Sequence, residues 1–196
     1  MKTYIKGSEF CESKILALNK LVSEGDMLER LYPDLIVDKI QDIDLKILER
    51  KKIKGLILDI DNTLVPQHMK EANESAVSWI ESVKTAGFKT CIVSNASEKR
   101  VVKFNENLKV LAIHRASKPG TKAFLKAARL MDIKINEIAV IGDQIFTDVY
   151  GGNKAGAFTI LVKPIDKKEF FFVRFKRFFE KPILRSYRRS LNKKKI

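Results

Sequence analysis

The chain is short of cysteine and has no long apolar run, and both shortages narrow what it can be. Its two cysteines, Cys11 and Cys91, lie far apart among 196 residues. Neither a disulfide framework nor a CxxC metal pair is therefore available. Cys91 stands in an apolar run and reads as a small core residue. No uninterrupted apolar stretch approaches the ~18 residues needed to cross a bilayer, and the opening "MKTYIKGSEF" lacks the apolar core of a signal peptide. A cytoplasmic protein with no transmembrane segment is the expectation. Histidine is scarce as well, and His68 and His114 read as surface or loop residues. Acids are scarce in one place only. Residues 1–54 carry 11 basic and 10 acidic side chains, residues 55–162 carry 14 and 11, and residues 163–196 carry 13 and 3. Most of the net charge of +14 therefore belongs to the tail. A charge gathered on one terminal segment suggests an anionic partner, either nucleic acid or an acidic membrane surface.

What the chain does have is a regular alternation. Short apolar runs, "GLILDI", "KTCIVS", "VLAIH", "IAVIG" and "AFTILV", are separated by stretches with helical spacing. In "NESAVSWIESVKTAG", Ala76, Ile80 and Val83 share a face and Gly87 can close the helix. Runs that are apolar throughout indicate strands buried on both faces. The fold class predicted is α/β, a doubly wound parallel sheet of about five strands with helices on both faces. In such sheets ligands bind beyond the carboxyl ends of the strands. The residues found there are Asp59 and Asp61, Ser94 and Asn95, Lys118, and Asp143 and Asp148. Three carboxylates converging on one crevice would repel by ~4 kcal/mol per close pair at an effective dielectric near 20, so a cation is implied. With oxygen donors alone and no histidine or cysteine among them, a hard ion such as Mg²⁺ suits the set better than Zn²⁺.

"DIDNT", "VSN", the Lys118 of "SKPG" and "GDQIFTD", in this order, resemble the four motifs of the haloacid-dehalogenase-like (HAD) phosphatases. The longer stretches "YPDLIVDKIQDID", "KGLILDIDNTLV", "VSNASEKRVVKF" and "KPGTKAF" narrow the likeness. With them the chain, from about Leu31 to its C-terminus, resembles the bacterial phosphatidylglycerophosphate-phosphatase-like branch of subfamily IIIA. Ser117 stands where that branch often has a second basic residue. The resemblance implies Asp59 as the nucleophile that forms an aspartyl-phosphate, and Asp61 as general acid and base. It implies Asp59, the carbonyl of Asp61 and Asp143 as holders of Mg²⁺. Ser94, Asn95 and Lys118 would meet the phosphoryl group, Thr63 would brace the first motif's loop, and Asp148 would orient Lys118 or a water.

Each feature alone has a plainer reading. A single DxDxT can be a strand-end turn with a helix cap, and Ser94 can be a cap, although Ser97 is better placed for that. Lys118 precedes Pro119, which reads as a first helical residue. Gly151, Gly152 and Gly156 read as packing and helix-end glycines. A response-regulator receiver uses similar residues in a different order.

Residues 60–93 and 95–117 leave no room for an inserted cap domain, so an open site suits a phosphate presented on something large. The expected organisation is an N-terminal extension over 1–30, a phosphatase domain over 31–164 and a basic amphipathic tail over 165–196. Within the extension Ile15, Leu18 and Val22 fit one helical face. In the tail Phe171, Phe175 and Phe178 fall at helical spacing with Phe172 and Phe179 beside them, while Arg174, Arg177 and Lys181 lie on another face. The aromatic side can dock on the domain or lie in a membrane interface, with the basic residues on anionic lipid. Together these features favour a Mg²⁺-dependent phosphatidylglycerophosphate phosphatase, peripheral on the inner face of the membrane. The alternatives are a HAD phosphatase of nucleic-acid ends or phosphoproteins, and a membrane- or RNA-binding adaptor with a vestigial site.

Overall fold

The structure, a computed structural model, describes residues 27–166 and 171–193, with side chains over 27–166 and 177–191. The expected helix around Ile15, Leu18 and Val22, and Cys11, lie outside the described residues. So do the side chains of Phe171, Phe172, Arg174 and Phe175.

The five apolar runs become β2 (Gly55–Leu58), β3 (Lys89–Val93), β4 (Leu111–Ile113), β5 (Ile138–Gly142) and β6 (Phe158–Val162). A sixth strand, β1 (Leu35–Val37), joins the five read from the sequence. Its three residues are half-buried and pair with β6, Leu35 opposite Ile160. So short an edge strand leaves too brief an apolar signal to read from sequence. All pairings are parallel, in the order β1-β6-β5-β2-β3-β4. From β2 the chain moves outward through β3 to β4, then returns to β5 on the other side of β2. The reversal lies between β2 and β5, and a crevice opens at the carboxyl ends there.

Alternate strand residues point to opposite faces, and each face is covered. Leu56, Leu58, Ile92 and Ile141 pack with Ile80 and Val83 of α2 (Glu74–Thr85) and Val101 and Phe104 of α3 (Glu98–Asn105). Leu48 of α1 (Leu45–Arg50) joins the same layer. Ile57, Cys91, Val93 and Val140 face Phe124, Ala127 and Met131 of α4 (Lys122–Met131). Cys91 is fully buried, and burial pushes its thiol up to about 12.

Local chemistry sets the helix ends. Asn73 accepts from the Ala76 amide at 2.9 Å to cap α2, and Gly87, at φ +88°, follows its end. Ser97 caps α3 through the Arg100 amide at 3.4 Å. Pro119 departs from expectation, because α4 starts at Lys122 and Pro119 follows a cis bond in the turn before it. That turn is closed by the Gly120 amide on the Ser117 carbonyl at 2.8 Å. Gly151 and Gly152 lie in α5 (Tyr150–Ala155), where added β-carbons would meet Phe124 and Thr159 within 3 Å.

The tail helix α6 (Phe171–Lys193) seats on a third cluster, formed by Ile145, Val149, Leu161 and Ile183 with Leu31, Tyr32, Ile36 and Leu184 against them. Tyr32 bonds Ser186 at 2.7 Å, and its ring lies 5.4 Å from that of Tyr187. The inward stripe is Glu180, Ile183 and Tyr187. Phe178 and Phe179 stay 68% and 47% exposed, so these two aromatics do not seat the helix. Among the described residues no helix is long and apolar enough to cross a membrane.

Candidate active site

The ends of β2, β3 and β5, with the loop after β4, bring together every site residue expected from the sequence. Asp59 leaves β2 with its amide still bonded to the Ile141 carbonyl at 3.0 Å. The chain then turns at Asn62, φ +63°, whose amide reaches the Val65 carbonyl at 2.7 Å. Thr63 Oγ1 donates to Asp59 Oδ2 at 3.4 Å. This tight turn brings Asp59 and Asp61 to one cavity of about 290 Å³, also lined by Gln67, Ser94, Asn95, Ala96, Lys118, Gln144 and Thr147. Ser94 is buried and accepts the Ala96 amide at 3.1 Å. Asn95 uses both ends of its amide on the Lys118 backbone, accepting from its N–H at 2.7 Å and donating to its carbonyl at 3.2 Å. Its contact is with the turn after β4 that carries the lysine.

Lys118 Nζ donates to Asp59 Oδ1 and Asp148 Oδ1, each at 2.6 Å. Asp148 Oδ2 accepts from the Gln144 amide and from Thr147 Oγ1, both at 3.2 Å. Gly142 makes this approach possible, since a β-carbon there would lie 2.3 Å from Asp148 Cγ. Burial raises the Asp59 carboxyl, although Lys118 opposes it, and the result is about 7. Burial acts against the Lys118 charge, but Asp148 and Asp59 together hold its proton more firmly than usual. Burial also raises Asp143 well above the carboxylate range, against the pull of Arg177.

Asp59, Asp143 and Asp148 each bring one buried oxygen within 4.8 Å of the others. Asp143 Oδ1 is buried without a hydrogen-bond partner. Three converging hard donors, one of them orphaned, fit a divalent cation. The Asp61 carboxylate stands outside this group and accepts from Arg100 at 2.9 Å.

Three charged residues beside the site escaped sequence reasoning. Arg100 reads there as an ordinary residue of α3. Glu180 is the lone acid of the stretch 171–193, and that isolation is the available signal. Arg177, expected on the lipid-facing polar side of the tail, instead turns inward. It donates to the Asp143 carboxylate and carbonyl, and to Glu180 at 3.0 Å. Helical spacing separates the stripes of a helix without saying which one docks.

This sheet, with an acid pair after β2, a serine after β3, a lysine and a second acid pair after β5, defines a HAD-type phosphatase, a hydrolase of phosphate monoesters. The chain belongs to the family described as mitochondrial PGP phosphatase, whose model matches residues 13–165. That match reaches into residues 1–30, beyond what the motifs alone showed, and stops before α6. The probable phosphatase YqeG of Bacillus subtilis is 42% identical over 165 residues, which is 84% of this chain and 96% of that protein. Phosphatidylglycerophosphate phosphatase 1 of Arabidopsis thaliana is 28% identical over 82% of this chain, but the chain spans only 49% of that protein. Among solved structures, an uncharacterized protein of Listeria monocytogenes is similar at TM-score 0.49 and 20% identity, over 61% of this chain and 85% of that one. The cobalt-bound deoxy-D-mannose-octulosonate 8-phosphate phosphatase of Haemophilus influenzae also reaches 0.49, at 16% identity, over 57% of this chain and 69% of that one.

Proposed function

We propose that this phosphatase removes the terminal phosphate of phosphatidylglycerophosphate at an anionic membrane surface, with Mg²⁺ in the acid cluster. The observation that carries the chemistry is the buried Lys118 bridge to Asp59 and Asp148 at 2.6 Å, at the wall of a cavity that Asp61 and Ser94 also line. Asp59 Oδ attacks phosphorus, the P–O bond to the glycerol breaks, and Asp61 gives its proton to the leaving alkoxide. Asp61, now a carboxylate, takes a proton from the water that hydrolyses the aspartyl-phosphate, which restores both acids. Lys118 and the Ser94 hydroxyl meet the phosphoryl oxygens as charge builds on them. Thr63 keeps Asp59 turned toward the cavity, Asn95 holds the backbone of Lys118, and Asp148 aims its ammonium. Asp59, the Asp61 carbonyl and Asp143 would hold Mg²⁺, which would offset the repulsion between these acids and a phosphate dianion.

The lipid assignment is supported by the Arabidopsis relative's named substrate and by the outward face of α6. Phe178 and Phe179 are exposed there beside Lys181, Arg185, Arg188 and Arg189, which are exposed as well. Such a face suits peripheral adsorption from the cytoplasmic side. The test is phosphate release from phosphatidylglycerophosphate in anionic vesicles, with and without Mg²⁺, for wild type and Asp59→Asn. Mg²⁺-dependent release that Asp59→Asn abolishes, and that exceeds release from soluble monoesters, is the expected result. Faster turnover of an oligonucleotide 3'-phosphate or a phosphopeptide would overturn the lipid assignment and leave the chemistry standing. Turnover by Asp59→Asn at the wild-type rate would overturn the chemistry.

A further inference from the structure

One turn of α6 grips the loop that carries Asp143. Arg177 donates to both the carbonyl and Oδ2 of Asp143. Glu180, one turn on, accepts from the Ile145 amide at 2.8 Å and from Arg177 at 3.0 Å. Residues 143–145 are therefore held at both ends by two side chains of one helix. The oxygen left over, Asp143 Oδ1, is the buried orphan of the acid cluster. Fixing Oδ2 fixes the direction of Oδ1, which is how an outer partner orients a metal-binding carboxylate. Glu180 is 4% exposed and Arg177 is largely covered. Replacing a buried ion pair of this kind with apolar side chains is often neutral or stabilising, so folding stability alone does not account for keeping it.

Among the described residues the charges close with this arrangement. Asp59, Asp143, Asp148 and Glu180 are opposed by Lys118 and Arg177. Fully ionised, the group is two negative charges in excess, the complement of one divalent cation.

We propose that Arg177 and Glu180 are positioning residues for the cation site, so that docking of α6 and binding of the cation reinforce each other. This rests on the cation reading given under the proposed function. Linkage is reciprocal: if a docked α6 raises cation affinity, the cation must hold α6 in place by the same factor. The inward stripe used for this is distinct from the exposed face of Phe178 and Phe179, so the outer face remains open to a surface while the grip is closed.

The test is direct Mn²⁺ binding, by calorimetry and by electron paramagnetic resonance, to the full chain with no substrate present. Wild type is compared with Arg177→Gln, Glu180→Gln and the exposed control Arg185→Gln. Electrostatics alone would make Arg177→Gln bind Mn²⁺ more tightly, because a positive charge has been removed beside the site. Positioning requires the opposite, a Kd weakened about 10-fold or more, with Arg185→Gln unchanged. Because a variant can fail to fold, hydrogen exchange of residues 178–187 is also followed in wild type. Mn²⁺ should slow it. Unchanged or tighter binding by Arg177→Gln would overturn the proposal, as would exchange in α6 indifferent to Mn²⁺. Absence of Mn²⁺ binding by wild type would overturn the cation reading beneath it.

Discussion

Replacing Lys118 by methionine tests the electrostatic logic of the site without any substrate. Lys118 is 7% exposed, Asp59 8% and Asp148 2%, so the ammonium is a buried cation between two buried carboxylates at 2.6 Å each. Methionine keeps most of the side chain's bulk and removes its charge. Removing one partner of a buried pair leaves an uncompensated charge, at a cost of about 3–5 kcal/mol. In a chain of 196 residues each kcal/mol moves Tm by about 2–4 °C, so metal-free protein at pH 8 should lose about 6–20 °C. The pH dependence has a definite sign. The Asp59 carboxyl sits at about 7 even with Lys118 present, because burial raises it more than the lysine lowers it. Without Lys118 it must rise further. A group whose pKa is raised by folding gives stability that is present at low pH and lost as pH climbs through the folded value. The variant should therefore lose much more Tm at pH 8 than at pH 5, where Asp59 takes up a proton at little cost. Melting followed by circular dichroism in EDTA at the two pH values measures this directly. Adding Asp59→Asn to Lys118→Met should recover part of the loss, because the unpaired charge is then gone. An equal loss at both pH values, or no recovery in the double variant, would refute the account.

Other outcomes follow from single contacts. Gly142→Ala puts a β-carbon where Asp148 Cγ lies 2.3 Å away; phosphate release should fall at least about 10-fold, whereas unchanged turnover would show that Asp148 can move without consequence. Tyr32→Phe removes the bond to Ser186 that ties α6 to the domain. It should cost about 1 kcal/mol, a Tm loss of about 2–4 °C by calorimetry, and an unchanged Tm would mean that this contact does not secure the helix. The Cys91 thiol, pushed by burial to about 12, should resist iodoacetamide at pH 8 in native protein and react once denaturant is added, as peptide mass spectrometry would register. Labelling of native protein at the denatured rate would contradict the buried position of β3.

The parts of this molecule that the sequence made legible are those where one local rule decides the outcome. β2, β3 and β5 are covered on both faces, so their apolar runs are continuous and their ends are marked by the first polar residue, which is also where the chemistry sits. Asp59, Ser94, Lys118, Asp143 and Asp148 could be placed at one crevice because a parallel sheet sends all its carboxyl ends the same way. β1 was missed because an edge strand of three half-buried residues carries almost no pattern. Pro119 was misjudged because a proline before a helix reads alike whether it begins the helix or closes the turn ahead of it. The larger gap is α6. Its sequence offers an aromatic stripe and a basic stripe, and hydrophobicity alone leaves the aromatic one to dock on the domain or to lie in a membrane interface. Among the described residues the seat instead takes Ile183, Tyr187 and the pair Arg177–Glu180, because what it presents is an apolar patch beside a buried backbone amide at Ile145 that needs an acceptor and an acid at Asp143. A helix that supplies one acceptor and one cation a turn apart satisfies both groups, and phenylalanine satisfies neither. Complementarity of that kind lies in two distant segments at once, so no window of sequence contains it. The one trace it leaves is an acid out of place, Glu180 among the eight basic residues of 171–193, and a lone opposite charge in a one-signed segment is a mark of a buried partner worth seeking before the segment is given over wholly to solvent or lipid.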